Sequence, residues 1–338
     1  MAGGPPVTRP EVTVVVPTHN RRTVLPLTLR SVLGQEGVSI HVVVVDDGSA
    51  DSTTDWLHGI ADPRITVVRH DEARGLPAAR NAGADTVAKG LVAFCDDDDL
   101  WAPTKLADQL AALAADPVCR WATTGVVFVD HELNVLGHHR VVGGDVLQEL
   151  VATNVIPSGS SVLVDVDLLR DVGGFDEALT SSEDWDCWIR VAQRSPLAVA
   201  DGPLVGYRIW PGSMSSNVPR MRASYQQVVS RYAHVATANG VKPKVFDYER
   251  FLAKQHLRAG ERLAAARAYF DLAVHHGHLD QLPRALAALV APGLTDQLGS
   301  SRARRALPPS WAERAEAWIE PLRRADGLSL PDAVGTGP

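Results

Sequence analysis

Four consecutive aspartates, Asp96 to Asp99, follow the apolar run Leu91 to Cys95. Adjacent carboxylates repel one another and cost stability unless positive charge sits among them. Oxygen ligands with open positions suit Mg2+ or Mn2+, held jointly by the protein and a phosphate. The competing reading is a solvated acidic turn; the position directly after a buried apolar run weighs against it. A second acidic group, Glu183, Asp184 and Asp186, lies in the segment SEDWDCWIR. Ser182 is placed to cap a helix there. Acidic residues in a first turn are favoured by the helix dipole, so this group also fits a purely structural role. Arg80, near the start of another helical segment, is placed either to meet a diphosphate or a base or to be an ordinary solvated arginine. Trp185 and Trp188, three apart, either pack together or present an aromatic face to a ligand.

Alternating elements must position these groups. Val12–Val16, His41–Val45, Ile65–Val68 and Leu91–Cys95 are short runs, apolar almost throughout, the pattern of strands buried on both faces of a parallel sheet. Between them, Leu25, Leu29, Val32 and Leu33 fall at helical spacing with Pro26 in a first turn. Ala78–Ala88 and Pro103–Ala115 read as further helices. The repetition is the α/β pattern with right-handed crossovers. In such a sheet ligands bind outside the carboxyl ends of the strands. Thr18, His19 and Asn20, then Asp46 to Ser49, then the four aspartates collect at those ends. Further along, Trp121–Val129, Ser161–Val164 and Leu204–Ile209 read as strands and Asp184–Arg194 as a helix. From about residue 220 the pattern is helical only. Gly277 ends one helix and Pro283 opens another.

Length and composition agree. The chain has 338 residues, against ~150 per domain. Its 22% charged and 45% hydrophobic content is that of a globular protein. A net charge of −7 argues against a general nucleic-acid binder. The three cysteines, Cys95, Cys119 and Cys187, are too few and scattered for a disulfide framework or a zinc site, and their apolar contexts read as buried thiols in a reducing compartment. The segment MAGGPPVTRPE has no apolar core of a signal peptide, and no run approaches the ~20 residues of a membrane helix. A cytoplasmic protein without a transmembrane segment is expected.

The sequence resembles the family 2 glycosyltransferases, which are inverting enzymes of the GT-A fold. The resemblance rests on VVVPTHNR (Val14–Arg21), VVDDGS (Val44–Ser49), GLPAARNAG (Gly75–Gly83), FCDDDDLW (Phe94–Trp101), GGFDE (Gly173–Glu177) and SEDWDCWIR (Ser182–Arg190), in the family's order over about residues 11–217. It implies a mostly parallel, doubly wound α/β sheet with a helical C-terminal appendage. The domains implied are a flexible arm at 1–10, a GT-A domain at 11–217 (donor half about 11–101, acceptor half about 102–217) and a helical region at 218–338. The resemblance further implies that Pro17, Thr18, Asn20, Arg21 and Asp47 hold the nucleotide base and ribose, with Arg80 and Asn81 near base and phosphates. Asp96, Asp97 and Asp98 match the DxD motif, Asp98 binding Mn2+ or Mg2+ directly and Asp96 meeting ribose or metal-bound water. Asp99 and Trp101 shape the pocket floor. Asp184 matches the general base, and Glu183 holds the acceptor or orients that site. The donor implied is a nucleotide-diphosphate sugar, UDP before dTDP. The acceptor is a hydroxyl of a polysaccharide, a glycolipid precursor or a secondary metabolite.

One departure stands out. Where the family often carries a histidine that completes the metal shell, this chain reads Tyr207-Arg208-Ile209-Trp210. Trp210 cannot ligate a metal, and Arg208 is then a candidate to supply charge to the leaving group. Other features read blandly. His275, His276 and His278 form a solvated helix end, and His138 and His139 lie in an exposed loop. Gly143-Gly144 is a turn. Arg302, Arg304 and Arg305 form a solvated face or an interaction surface, and the helical tail is a candidate homo-oligomer contact. Two other functions compete: a sugar nucleotidyltransferase, which needs a glycine-rich basic loop where Pro17–Arg21 stands, and a non-catalytic nucleotide-sugar-binding module.

Overall fold

The computed structural model describes residues 11–210, 217–291 and 307–325. The expected arm at 1–10, the Arg302–Arg305 run and the segment 327–338 lie outside the described residues. Valine-rich runs form β1 (Glu11–Thr18), β2 (Ser39–Asp47), β3 (Ile65–His70) and β4 (Leu91–Phe94). β-Branched side chains suit a pleated surface covered on both faces, and Val12, Val14, Val15 and Val16 are fully buried. The four strands pair in parallel in the order β3-β2-β1-β4. They are linked by α1 (Leu25–Leu33), α2 (Thr53–His58) and α3 (Leu76–Asp85). Pro26 and Pro77 stand in the first turns of α1 and α3, where an N–H would have no helical partner. A Cβ on Gly83 would lie 2.3 Å from Val15 Cγ1. That glycine lets α3 press onto β1 and carry Arg80 to the end of β4.

The second half of the sheet is mixed rather than mostly parallel. Beyond β4 comes β8 (Leu163–Asp165), antiparallel to it, then β6 (Trp121–Val129), antiparallel to β8, and β9 (Leu197–Arg208), parallel to β6. Two short strands, β5 (Leu100–Trp101) on β9 and β7 (Val135–His139) on β6, pair antiparallel. Strand β9 starts at Leu197 rather than Leu204, because Asp201 and Gly202 are accommodated where the β6 register slips from Thr124↔Ala200 to Gly125↔Pro203. His138 and His139 lie on β7 rather than in a loop, half-buried. The His138 ring stands edge-on to Trp311, and His139 Nε2 is 3.2 Å from the Val155 carbonyl.

Helices cover both faces. One apolar layer joins α1 and α4 (Lys105–Ala115) to the sheet. The other joins α3, α5 (Leu147–Ala152), α6 (Val166–Asp171) and α7 (Glu183–Ala192). The C-terminal helices are α8 (Val218–Arg231), α9 (Ala233–Ala238), α10 (Val245–Arg258), α11 (Arg262–Val274), α12 (Leu282–Val290) and α13 (Pro309–Arg324). They divide three ways. Tyr225, Val228 and Tyr232 join the layer around α7, α10 to α12 share an alanine-rich core, and α13 lays Trp311 and Trp318 on the sheet. No helix among the described residues is long and apolar enough to cross a membrane. All three cysteines are buried and unpaired.

Lys105, the first residue of α4, is fully buried. Its ammonium sits 3.8 Å from the Trp101 ring centre and donates to Gln109 Oε1 at 2.8 Å. Burial pushes it down to about 7 from an ordinary 10.5. Between those values the unfolded chain binds the extra proton, so stability rises with pH across the window and the cost is fully present below pH 7. Lys105→Met is therefore expected to raise the melting temperature at pH 6 and to do so less at pH 9. The Gln109 oxygen it orphans offsets part of the gain. Thermal melts of both proteins at the two pH values check this; a Met variant less stable at pH 6 contradicts it.

Candidate functional site

The carboxyl ends of β1, β2 and β4 meet in one cleft, and side chains weld their loops together. Asn20, in the left-handed region at φ 55°, accepts from the Ala50 and Asp51 N–H groups at 2.8 and 3.2 Å, and its own N–H donates to Ser49 Oγ. It joins the loops after β1 and β2 rather than offering its amide oxygen to a ligand. Pro17 and Thr18 are buried at the carboxyl end of β1. Asp46 is fully buried. Burial alone would raise its pKa, but hydrogen bonds from Ser49 and Thr54 and the Arg69 guanidinium hold it below the usual carboxylate range. Asp47 accepts from His70 Nδ1 at 2.7 Å and from the N–H groups of Arg74 and Gly75 at 2.9 and 2.8 Å. It shapes the loop leading into α3 and keeps one lone pair of Oδ2 for a ligand.

The four aspartates each have their own partner. Asp96 Oδ1 accepts from the Arg80 guanidinium at 2.6 Å. Asp97 lies 3.6 Å from Arg21 Nε, and burial followed by the Asp98 charge pushes it up to about 8. Asp98 Oδ2 accepts from the Trp210 indole N–H at 2.9 Å, while burial raises its pKa. The Arg21 guanidinium rests over the same indole at 4.8 Å. Trp210, which cannot itself ligate a metal, thus orients Asp98. Asp99 is turned inward, accepting from Ser158 Oγ at 2.9 Å and the Arg208 N–H at 3.3 Å. Asp99 and Trp101 are both buried, beneath the cleft rather than at its floor. Arg208 does not face the cleft as a free charge. It is buried, donating to the Asp98 carbonyl, the Val24 carbonyl and Thr28 Oγ1.

Arg80 joins the two acidic groups. It is 2% exposed, with one nitrogen on Asp96 and the other on Glu183 Oε1 at 2.7 Å. The Phe175 ring lies beneath it at 5.3 Å, and a Cβ on Gly159 would lie 2.9 Å from its Nη2. Neither a solvated arginine nor a phosphate clamp, it is a brace between the end of β4 and the start of α7. Glu183 is correspondingly buried, its Oε1 held by Arg80. Asn81 likewise holds the Gly173–Glu177 loop, exchanging hydrogen bonds with the Phe175 N–H and carbonyl.

Asp184 remains half-buried beside this brace. Burial, reinforced by the Glu183 charge and opposed by Arg80, pushes it up to about 7. Ser182 adopts a left-handed conformation without a side-chain capping bond, contrary to the expected cap. The tryptophans pack: Trp185 stacks on Tyr225 and donates to the Leu150 carbonyl, and Trp188 stacks on Trp121. His275 and His276 are exposed, and His278 stacks on Phe246.

Two oxygens, Asp96 Oδ2 and Asp98 Oδ1, have no hydrogen-bond partner among the described residues. Two free oxygens on mutually repelling carboxylates suit a hard divalent cation that fills its shell with phosphate and water. Among the described residues no set of three His, Cys, Asp or Glu side chains forms a complete cage.

Residues 13–164 match the family model described as Glycosyl transferase family 2. The succinoglycan biosynthesis protein ExoO of Rhizobium meliloti is 41% identical over 97 residues, which span 29% of this chain and 28% of that protein. The Escherichia coli UDP-Glc:alpha-D-GlcNAc-diphosphoundecaprenol beta-1,3-glucosyltransferase WfgD is 22% identical over 255 residues, 70% of this chain and 96% of the relative. Among solved structures, S. aureus TarS 1-349 in complex with UDP-GlcNAc superposes with a TM-score of 0.54 at 20% identity, covering 87% of this chain and 92% of TarS. The mannosyltransferase PcManGT from Pyrobaculum calidifontis, in complex with GDP-Man and Mn2+, gives 0.52 at 24% identity, covering 94% and 87%. These likenesses establish the GT-A fold.

Proposed function

Residues 13–164 belong to glycosyl transferase family 2, and from that premise we propose that the chain is an inverting, metal-dependent glycosyltransferase that moves a sugar from a UDP-sugar to an acceptor hydroxyl. The observation that carries the reading is the Arg80 brace, which ties Asp96, in the aspartate run, to Glu183, the neighbour of Asp184 at the start of α7. The domain reading that goes with it is a donor half over about 11–101, an acceptor half over about 102–217 and a helical region from 218 onward.

In this reading the Asp47 loop and Arg21 receive the nucleotide. Asp98, with Asp96 beside it in the aspartate run, would hold the divalent cation. What Mn2+ or Mg2+ supplies at that place is neutralisation of charge on the departing diphosphate. Asp184 takes the proton from the acceptor hydroxyl as that oxygen attacks the anomeric carbon. UDP as the donor nucleotide is supported by the names of two relatives, one using UDP-Glc and one solved with UDP-GlcNAc. The diphosphoundecaprenol acceptor in the first name supports a glycolipid precursor as acceptor class.

Titration calorimetry tests the metal and the nucleotide together. UDP is expected to bind at least about tenfold more tightly with Mn2+ than with EDTA, and Asp98→Ala is expected to abolish the difference. Equal affinity under both conditions in the parent protein overturns the metal assignment, and stronger stabilisation by GDP than by UDP overturns the base assignment.

A further inference from the structure

Asp186, two residues beyond Asp184 on α7, is completely buried. Its Oδ2 accepts from Arg190 Nε and Nη2 at 3.0 and 2.7 Å. Its Oδ1 accepts from Arg231 Nη1 at 2.7 Å and the Tyr232 hydroxyl at 2.9 Å. Arg231 closes the last turn of α8, and Tyr232 follows it. The second Arg231 nitrogen holds Asp176 at 2.8 Å, in the Gly173–Glu177 loop that Asn81 also fixes. A residue pair two apart on a helix of 3.6 residues per turn points to roughly opposite sides. Asp186 therefore faces α8, and Asp184 lies on the opposite side of α7. The first turn of α7 has no side-chain cap. Trp185 and Trp188 pack α7 into the core, and two polar handholds, Arg80 on Glu183 and the α8 end on Asp186, fix its rotation further.

We propose that Arg231 and Tyr232 are positioning residues for glycosyl transfer, holding α7 through Asp186 so that Asp184 is aimed at the acceptor hydroxyl. The C-terminal region is, on this view, part of the machinery of transfer. The proposal rests on Asp184 being the base.

Arg231 is partly exposed, and Arg190 still neutralises Asp186 when Arg231 is lost. Arg231→Met is therefore expected to fold. It should lower kcat by about 10- to 10²-fold, the scale of a misplaced catalytic group, with UDP affinity unchanged by calorimetry. Arg231→Lys restores most of the rate, and Tyr232→Phe, which removes one hydrogen bond and no volume, gives a smaller loss of kcat at constant donor KM. Tyr269→Ala serves as the control: it loosens the separate core of α10 to α12 and should leave kcat unchanged at temperatures where the protein is folded. Should Arg231→Met not fold, Tyr232→Phe and Arg231→Lys carry the test. Parental kcat in Arg231→Met and Tyr232→Phe, or an equal loss in Tyr269→Ala, overturns the proposal. If Asp184→Asn is itself fully active, the base assignment fails; if Asp184→Asn is inactive and Arg231→Met is parental, only the positioning role fails.

Discussion

The Asp184→Asn enzyme is expected to turn over ~10²–10⁴-fold more slowly than the parent, with nucleotide affinity unchanged. Inverting transfer brings the acceptor oxygen onto the anomeric carbon from the face opposite the departing diphosphate, through an oxocarbenium-like transition state. The hydroxyl proton must leave as that bond forms. Asparagine preserves the size of the side chain but cannot take it. Burial and the Glu183 charge push Asp184 up to about 7, so this carboxyl is half-protonated near neutrality. The parent kcat/KM should then climb about tenfold per unit of pH below 7 and level off above it, and this limb should vanish in the variant. Steady-state rates from pH 5 to 9 and the anomeric configuration of the product, read by NMR, check both halves. A fully active Asn variant, or a product that keeps the donor's configuration, contradicts the mechanism.

Arg80→Met should be the most destabilising single change at the cleft. It leaves Glu183, 4% exposed, without its cation. Removing one partner of a buried ion pair typically costs about 3–5 kcal/mol, because the remaining charge is uncompensated. Arg80→Lys should rescue little. A single ammonium cannot reproduce the planar fork that reaches Asp96 and Glu183 at once. Gly159→Ala should produce a milder version of the same defect, since its Cβ would press on the guanidinium. Urea unfolding of the three variants gives the ranking; parental stability in Arg80→Lys would show that the fork geometry is not what holds the two elements together.

What was legible in the sequence had local causes. The valine runs predict β1 to β4 because β-branched apolar residues in short runs have few other uses, and Pro26 and Pro77 mark the helix starts. The residues that line the cleft could be named from motifs. What they touch could not, because each partner lies far away in the chain. Arg80 meets Glu183 across 103 positions, and Trp210 meets Asp98 across 112. Nothing near Arg80 or Arg208 marks them as buried. Asn20 and Asn81 read as ligand-facing polar residues, yet both spend their amide oxygens on backbone N–H groups of neighbouring loops. Strand β7 was hidden by its polar ending, Gly-His-His, and the start of β9 by Asp-Gly-Pro in its middle.

The three cysteines have a practical consequence. The thiolate is the form that reacts with alkylating reagents. Cys95, Cys119 and Cys187 are all buried, and burial holds the Cys119 and Cys187 thiols at about 11 and 12 and raises Cys95 as well. At neutral pH the folded chain therefore presents maleimide with no reactive thiol of its own. A single cysteine engineered on an exposed position such as Leu263 can carry a fluorophore or spin label without first stripping the native ones, which leaves the packing around β4 and α7 intact for spectroscopic work.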